Sequence, residues 1–319
     1  MSEALESDAS LLVVVLDINA SAWARSPLAL DDALQQTIIF INAYLALKPS
    51  NQLVVLASTR SECRTLYPAE PGSISDGEDI RVYEQFRAAD IAILSGVRAL
   101  LSSASAAASR AQTEDSEHSL ISRALSKALC HINQMRSSTL DAVWPRVLVL
   151  SAGVDAAAEY ISLMNGIFAA QRMGVLIDVC KVAGAGDSVF LQQAAEISGG
   201  VYLRVDARAG WSLLQTLLFG FLADHYTRQV LYLPGNERTD FRATCFCHKR
   251  IVDIGFVCSV CLSIFCRMTP VCSTCHTKFA VRGGRVERPA ANGANNGTQG
   301  TARTISQQLS TASTTSTLV

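Results

Sequence analysis

The chain has 319 residues, of which 49% are hydrophobic and 17% charged, and its 27 lysines and arginines nearly balance its 28 aspartates and glutamates. This composition excludes a mainly disordered protein, and the length allows one large α/β domain with a small appendage, or two medium domains. The acidic N-terminus has no basic segment before its first apolar run, and no apolar stretch reaches the roughly 18 residues that crossing a bilayer needs. We therefore expect no secretory signal, no membrane span and a reducing compartment.

Strand-like and helix-like patterns alternate over the first 230 residues. The run Leu11–Leu16 is apolar and rich in valine, which is typical of a strand buried on both faces. In chain order, the patterns predict strands at 11–16, 51–58, 62–66, 146–151, 175–182 and 201–205, and helices at 29–47, 80–101, 120–135, 156–172, 188–197 and 211–226. Strands that alternate with helices predict crossover connections, and hence a doubly wound, mainly parallel α/β sheet covered on both faces.

Shifts in composition predict the domain boundaries. In chain order, the segments are an N-terminal tail (1–9), the α/β domain (10–230), a connector (231–242), a cysteine-rich module (243–282) and a polar tail (283–319). We expect the polar tail to be disordered because it has too little apolar surface to offset the entropy of ordering. The alanine- and serine-rich stretch 102–119 inside the α/β domain is predicted to be a mobile surface insertion.

The cysteines fall into two groups. Seven of the ten lie between Cys245 and Cys275, and such crowding is typical of a metal-binding module in a reducing compartment. The other three are isolated in apolar surroundings, and we predict that they are buried small hydrophobic residues: Cys63, Cys130 and Cys180.

Two Cys-x2-Cys pairs predict a zinc site. Cys258 pairs with Cys261 and Cys272 pairs with Cys275, and the ten residues between the pairs let the chain return and close a tetrahedron of thiolates around one zinc ion. A module of about 35 residues cannot bury enough apolar core to fold alone. We therefore expect the zinc to be structural and to supply much of the folding free energy of the module.

The remaining ligands leave a second zinc ion open. Cys245, Cys247 and Cys266, with either His248 or His276, could bind it in an interleaved arrangement, in which the first and third ligand pairs form one site and the second and fourth form the other. The chain from residue 243 onward has eight lysines and arginines against two acidic residues. Zinc-bound thiolates would offset much of that positive charge, so direct nucleic-acid binding is not expected.

Oxygen-bearing side chains follow the first predicted strand. Asp17, Asn19 and Ser21 can reach a common point at the carboxyl edge of the sheet, and they are ligand types that Mg²⁺ accepts. The spacing resembles the metal-ion-dependent adhesion site of von Willebrand factor A domains. In that family a Thr before a later helix, for which Ser119 could substitute, and an Asp after the strand at 146–150 complete the site. Here no carboxylate follows that strand until Asp155, so we interpret the site as degenerate and do not expect Mg²⁺ to bind.

Nothing in the sequence predicts catalysis. The chain has no Gly-x-Ser-x-Gly motif, and the glycine-containing segment 183–188 lacks the lysine and the spacing of a phosphate-binding loop. His131 stands singly in a predicted helix, which favours a packing or surface role over that of a catalytic base.

The combination of an A-like domain with a degenerate metal site and a C-terminal four-cysteine finger resembles one family: the small core subunits of general transcription factor TFIIH, of the Tfb-type 34-kilodalton kind. The likeness covers about residues 10–280, and its most specific parts read LLVVVLDIN, HSLISRALSKALCHIN and CSVCLSIFC. It implies a von Willebrand A-like fold and a non-enzymatic nuclear scaffold for RNA polymerase II initiation and nucleotide excision repair. The implied main partner is the TFIIH core subunit that has a von Willebrand A domain and a RING-like zinc domain and regulates the repair helicase.

Two other classes of function stay open on the sequence alone. One is a RING-like ubiquitin ligase with an A-domain substrate receptor, but ligases of that type have a histidine in the middle ligand pair, and Cys266 has no neighbouring histidine. The other is Mg²⁺-dependent adhesion, which would require Asp17 to hold a metal ion.

Overall fold

The computed structural model describes residues 9–68, 84–108, 120–138, 143–155, 159–182, 187–206, 212–234, 239, 241–248, 250–261 and 263–279. The chain divides into two compact units between Asp240 and Phe241. The first unit is an α/β domain, and the second contains the cysteine-rich module.

The α/β domain is built on a six-stranded sheet with the order β3-β2-β1-β4-β5-β6. Its strands are β1 (Ala9–Asp17), β2 (Gln52–Ser58), β3 (Cys63–Tyr67), β4 (Val143–Ser151), β5 (Leu176–Val182) and β6 (Tyr202–Val205). All neighbouring pairs are parallel except that β3 runs antiparallel to β2 at one edge. The predicted doubly wound, mainly parallel sheet is therefore confirmed.

Helices cover both faces of this sheet. They are α1 (Ala20–Trp23), α2 (Leu30–Leu47), α3 (Glu84–Ala108), α4 (Ile121–Ser138), α5 (Tyr160–Arg172), α6 (Val189–Ser198), α7 (Ser212–Thr216) and α8 (His225–Val230), with a π-helical turn at Leu217–Phe221. Helix α2 contacts α3 and α7 on one face, and α5 lies between α4 and α6 on the other. Within the described ranges, no helix has both the length and the apolar character needed to cross a membrane.

Strand β1 forms the centre of the hydrophobic core. Every side chain from Leu11 to Leu16 is at most 1% exposed. Val14 lies on one face of the strand and packs in the same cluster as Phe40 of α2 and Ile93 of α3. The alternate residues point to the opposite face, where α4 contacts the strand. Burial on both faces explains why this strand is a continuous apolar run and has no polar alternation.

Two predictions of local structure are wrong. The single helix predicted at 211–226 is divided into α7, a π-helical turn and α8. Asp224 ends the first part because it is extended and its side chain accepts a hydrogen bond from the N–H of Thr227, which makes it the N-cap of α8. The predicted mobile insertion begins inside α3, which continues to Ala108; residues 109–119 lie outside the described part of the chain.

The three isolated cysteines differ in exposure. Cys180 on β5 is fully buried, as predicted, and burial raises its pKa. Cys63 is partly exposed at the edge strand, and Cys130 is exposed on α4. The prediction is wrong for Cys130 because its position on α4 faces away from the sheet, while Ala124, Ala128 and Ile132 form the buried face of that helix.

A buried ionic network ties α8 to the sheet. Asp178 of β5 is fully buried and accepts two hydrogen bonds from the Arg228 guanidinium of α8, one of them at 2.9 Å, and another from the N–H of Val201. Arg146 of β4 donates to the carbonyl oxygens of Phe221 and Ala223 at 2.7 and 2.8 Å. Phe221 ends the π-helical turn, where carbonyl groups commonly lack intrahelical partners, and the carbonyl oxygen of Ala223 also accepts from Arg228 Nε at 3.1 Å.

The cysteine-rich module has little regular structure. Strand β7 (Ala243–Thr244) pairs with β8 (Ile251–Val252), and β9 (Phe256–Val257) pairs with β10 (Ile264–Phe265), both antiparallel. A single antiparallel bridge joins Val271 to Lys278. The module is thus a series of three short hairpins.

Replacing Arg228 with Met tests the buried network. The substitution removes the guanidinium that hydrogen-bonds to the buried Asp178 carboxylate and leaves only Arg146, at 4.0 Å, as a charged partner among the described residues. We expect it to lower the free energy of unfolding of the α/β domain by about 3 kcal/mol. The control is Arg204→Met, because Arg204 pairs with Asp187 at 3.1 Å on the surface, where both side chains are at least 42% exposed; it should cost less than about 0.5 kcal/mol. Urea unfolding of both variants measures the difference, and equal losses would contradict the account.

Candidate metal centres

The three hairpins of the module share one turn. In each, the backbone N–H of the first cysteine donates to the carbonyl oxygen five residues later: Cys245 to Arg250 at 2.8 Å, Cys258 to Ser263 at 2.9 Å and Cys272 to Thr277 at 2.9 Å. The same turn brings the residue three positions after the first cysteine back beside it. That residue is a cysteine in the second and third hairpins and His248 in the first.

The second and third hairpins bring four thiols together. The ligand atoms of Cys258, Cys261, Cys272 and Cys275 all lie within 4.8 Å of one another. Across the two hairpins, Cys258 Sγ lies 3.7 Å from Cys275 Sγ, and Cys261 Sγ lies 3.6 Å from Cys272 Sγ. Four sulfurs at 2.3 Å from a tetrahedral zinc ion would be about 3.8 Å apart. The thiols are therefore spaced for zinc and are far too distant for disulfides.

The first hairpin and Cys266 form a second cluster. The ligand atoms of Cys245, Cys247, His248 and Cys266 also lie within 4.8 Å of one another. Cys266 Sγ lies 3.5 Å from Cys247 Sγ and 3.1 Å from His248 Nδ1. Of the two histidines left open by the sequence, His248 belongs to this cluster. His276 follows the last cysteine of the third hairpin in the left-handed region, with φ 59°, and is in neither described cluster.

The spacing within the second cluster has a structural reason. Cys245 and His248 have the same three-residue separation as the Cys-x2-Cys pairs, so the turn presents both. Cys266 follows β10, and the residue three positions later is Thr269 and not a cysteine or histidine. This part of the chain therefore offers one candidate ligand, whereas the turn of each hairpin offers two. Cys247, from within the first hairpin, is the fourth member of the cluster.

Hydroxyl groups favour the thiolate form of two cysteines. Ser263 Oγ lies 3.1 Å from Cys261 Sγ, and Thr277 Oγ1 lies 3.1 Å from Cys275 Sγ. Hydrogen bonds with the side chain and backbone of Ser263 lower the pKa of the Cys261 thiol to about 6, and equivalent bonds with Thr277 lower the pKa of Cys275. Because zinc binds thiolates, these second-layer contacts fit the cluster for a metal ion.

The apolar core of the module is very small. It consists of the buried residues Cys258, Phe265 and Cys272, with Phe246, Phe279 and two further cysteines packed around them. Several apolar side chains stay exposed, among them Ile254 and Val260. Burial on this scale cannot offset the chain entropy of almost 40 ordered residues. The donor sets, three cysteines with a histidine and four cysteines, are those of structural zinc sites.

The oxygen-bearing residues after β1 are used within the α/β domain. Asp17 is buried, and its carboxylate accepts hydrogen bonds from Ser151 Oγ at 2.8 Å, from the N–H of Gly153 at 3.3 Å and from the N–H of Asn19 at 3.2 Å. Asn19 Oδ1 in turn accepts from the N–H of Ser21 and caps α1. The remaining predicted member, Ser119, lies outside the described residues.

Two charged residues at this edge were not predicted to be part of the site. Asp155, the first carboxylate after β4, accepts hydrogen bonds from Ser188 Oγ and from the N–H of Phe190 at 3.0 Å, and so caps α6. Lys181 on β5 is fully buried, and its Nζ donates to the carbonyl oxygen of Gly153. A lysine within the buried strand LIDVCKV, whose only other charged residue is Asp178, is the signal that could have identified it.

Comparisons with known proteins cover both units. The family model described as Transcription factor Tfb4 matches residues 9–276. The tfb4 subunit of general transcription and DNA repair factor IIH from Schizosaccharomyces pombe is 40% identical over 288 residues, which cover 88% of this chain and 92% of the relative. The TFB4 subunit of the same factor from Arabidopsis thaliana is 37% identical over 279 residues, which cover 87% of this chain and 91% of the relative.

A solved structure is similar to the α/β domain. The crystal structure of the TFIIH p34 N-terminal domain has 32% sequence identity and a TM-score of 0.54, and the match covers 66% of this chain and 97% of that chain. The module with the cysteine clusters is thus matched in sequence by the family model up to residue 276, while the structural likeness concerns the α/β domain.

Replacing Cys258 with Ser tests the four-thiol cluster. We expect the variant to unfold residues 243–279 and so to release the zinc bound there, because the module has almost no other source of stability. The unfolding transition of the α/β domain should not change. Zinc content by atomic absorption and limited proteolysis give the readouts, with Cys130→Ser as the matched control because Cys130 is exposed on α4. A Cys258→Ser protein that retains full zinc would refute the ligand assignment.

Replacing Cys266 with Ser tests the mixed cluster separately. If the cluster of Cys245, Cys247, His248 and Cys266 holds zinc, the native mass of the wild-type chain should correspond to two zinc ions and that of the variant to one. Substitution of His276 by Asn, the histidine outside both clusters, should leave two. A wild-type mass with a single zinc ion would show that only one cluster binds metal.

Proposed function

Because the chain belongs to the Tfb4 family, we propose that it is a non-enzymatic structural subunit of general transcription factor IIH. The observation that supports this proposal is the family match over residues 9–276, which includes both the α/β domain and the two cysteine clusters. The relatives are named as subunits of the general transcription and DNA repair factor IIH. The corresponding roles are RNA polymerase II initiation and nucleotide excision repair, and the corresponding location is the nucleus.

A structural role agrees with the chemistry of the described residues. The charged groups at the carboxyl edge of the sheet are used internally, since Asp17 and Asp155 accept backbone hydrogen bonds and Lys181 donates to a carbonyl oxygen. Each cysteine cluster offers four protein ligands. A zinc ion with four protein ligands has no open position for a water molecule, so it would stabilise the module and not catalyse a reaction.

We assign the zinc ions to the two clusters as structural cross-links. One ion would be held by Cys258, Cys261, Cys272 and Cys275, and the other by Cys245, Cys247, His248 and Cys266. Because each ion joins ligands that are distant in sequence, the two sites interleave and fix the order of the three hairpins. The net charge is −2 at the first site and −1 at the second, which offsets part of the surrounding positive charge.

We further propose that the α/β domain docks on the TFIIH core subunit that has a von Willebrand A domain and a RING-like zinc domain. The domain exposes several large apolar side chains, including Phe219 at 83%, Val230 at 86% and Tyr232. Exposed aromatic and aliphatic groups of this size are typical of surfaces that are covered in an assembly. The number of these exposed apolar side chains supports a scaffold role in which a partner protein covers them.

Co-purification with that subunit tests the proposal. The full chain and its Cys258→Ser variant are each co-expressed with the RING-like partner and analysed by size-exclusion chromatography. If the α/β domain supplies the interface, both should elute as a complex, although the module of the variant is unfolded. Failure of the wild-type chain to associate would contradict the proposed partner, and loss of binding only in the variant would place the interface on the zinc module.

A further inference from the structure

A buried ammonium group lies among the carboxylates at the carboxyl edge of the sheet. Lys181 is fully buried at the end of β5, where its Nζ donates to the carbonyl oxygen of Gly153. Burial lowers the pKa of Lys181, and the nearby carboxylates of Asp17 and Asp155 oppose that change. A buried ammonium with no opposite charge nearby would be strongly destabilising, so these acidic groups are what allows a lysine at this position.

Asp17 is a buried carboxylate and needs a nearby positive charge, just as buried Lys181 needs a nearby negative charge. It is 1% exposed, and the donors that contact its two oxygens include Ser151 Oγ and the N–H groups of Asn19 and Gly153. These three donors satisfy hydrogen-bonding capacity but are uncharged. The charge of a buried carboxylate still needs a cation close by, either a metal ion or a side chain.

One residue, Gly153, connects the two charges through its backbone. The N–H of Gly153 donates to Asp17 Oδ2, and the carbonyl oxygen of the same residue accepts from Lys181 Nζ. Both carboxylate oxygens of Asp155 accept hydrogen bonds from the start of α6, from Ser188 Oγ and from the N–H of Phe190. A divalent ion at Asp17 would have to displace the N–H donors from the carboxylate, because Mg²⁺ needs those oxygens at about 2.1 Å.

We propose that the Lys181 ammonium is the resident cation of this edge, so that the carboxyl ends of β1 and β5 and the segment after β4 at Gly153 are held together without a divalent metal. Lys181 compensates the buried negative charge and, through Gly153, fixes the loop that follows β4. This inference concerns the internal construction of the α/β domain and does not depend on the transcription-factor assignment.

Thermal unfolding of the full chain tests the proposal through Lys181→Met, which keeps the length of the side chain and removes the charge. We expect the transition of the α/β domain to fall by about 8 °C or more. The control is Lys127→Met on α4, where the side chain is partly exposed; its effect should stay within about 2 °C. Equal shifts for the two variants would overturn the proposal.

A double-mutant cycle between Asp17 and Lys181 gives a second test, which stays informative if one single variant folds poorly. In the Asp17→Asn background the buried negative charge is absent, so Lys181→Met should lower the melting temperature by less than half as much as in the wild type. Additive effects would show that Lys181 acts only by packing and would overturn the proposal.

Metal titration of the wild-type chain is the third arm and needs no variant. With zinc-loaded protein, millimolar MnCl2 or MgCl2 should leave the transition of the α/β domain unchanged, because Lys181 already supplies the positive charge. A rise in melting temperature that disappears in Asp17→Asn would show that this edge binds a divalent ion, and would overturn the proposal.

Discussion

Strand β1 is buried on both faces, and the charged cluster at the carboxyl edge of the α/β sheet depends on the strands that pair with it. Because the strands beside β1 are parallel to it, their carboxyl ends meet at one edge, and the polar residues that end them are brought together there. Asp17, Ser151 and Lys181 come from three different strands and all contact the backbone of Gly153. The sheet thus creates a charged cluster, and its charges must compensate one another because Asp17 and Lys181 are buried.

The cysteine-rich module depends on a different source of stability. The α/β domain buries a large apolar core, whereas the module buries little beyond Phe265 and its cysteines. Its three hairpins repeat one backbone hydrogen bond, which sets the spacing of the ligands but cannot hold the hairpins to one another. Ligand bonds to zinc would do so, and this accounts for a module with so small an apolar core.

Element types could be predicted from the sequence because apolar periodicity reports burial directly. The break between α7 and α8 could not, since it depends on Asp224 capping a helix whose register is set by contacts distant in sequence. The four-thiol cluster follows from Cys-x2-Cys spacing alone. The choice of His248 over His276 depends on which hairpin lies beside Cys266. The role of Lys181 depends on the pairing of β5 with β4. Neither could be predicted from the local sequence pattern.

The central claim is that the α/β domain is held by its own residues and the module by metal. Hydrogen–deuterium exchange of the full chain, before and after treatment with a zinc chelator, tests both halves at once. The account predicts that protection is lost in the hairpins between 243 and 279 and is unchanged in β1, β4 and β5, including the loop at Gly153. Protection that persists in the hairpins, or that is lost at the carboxyl edge of the sheet, would contradict it.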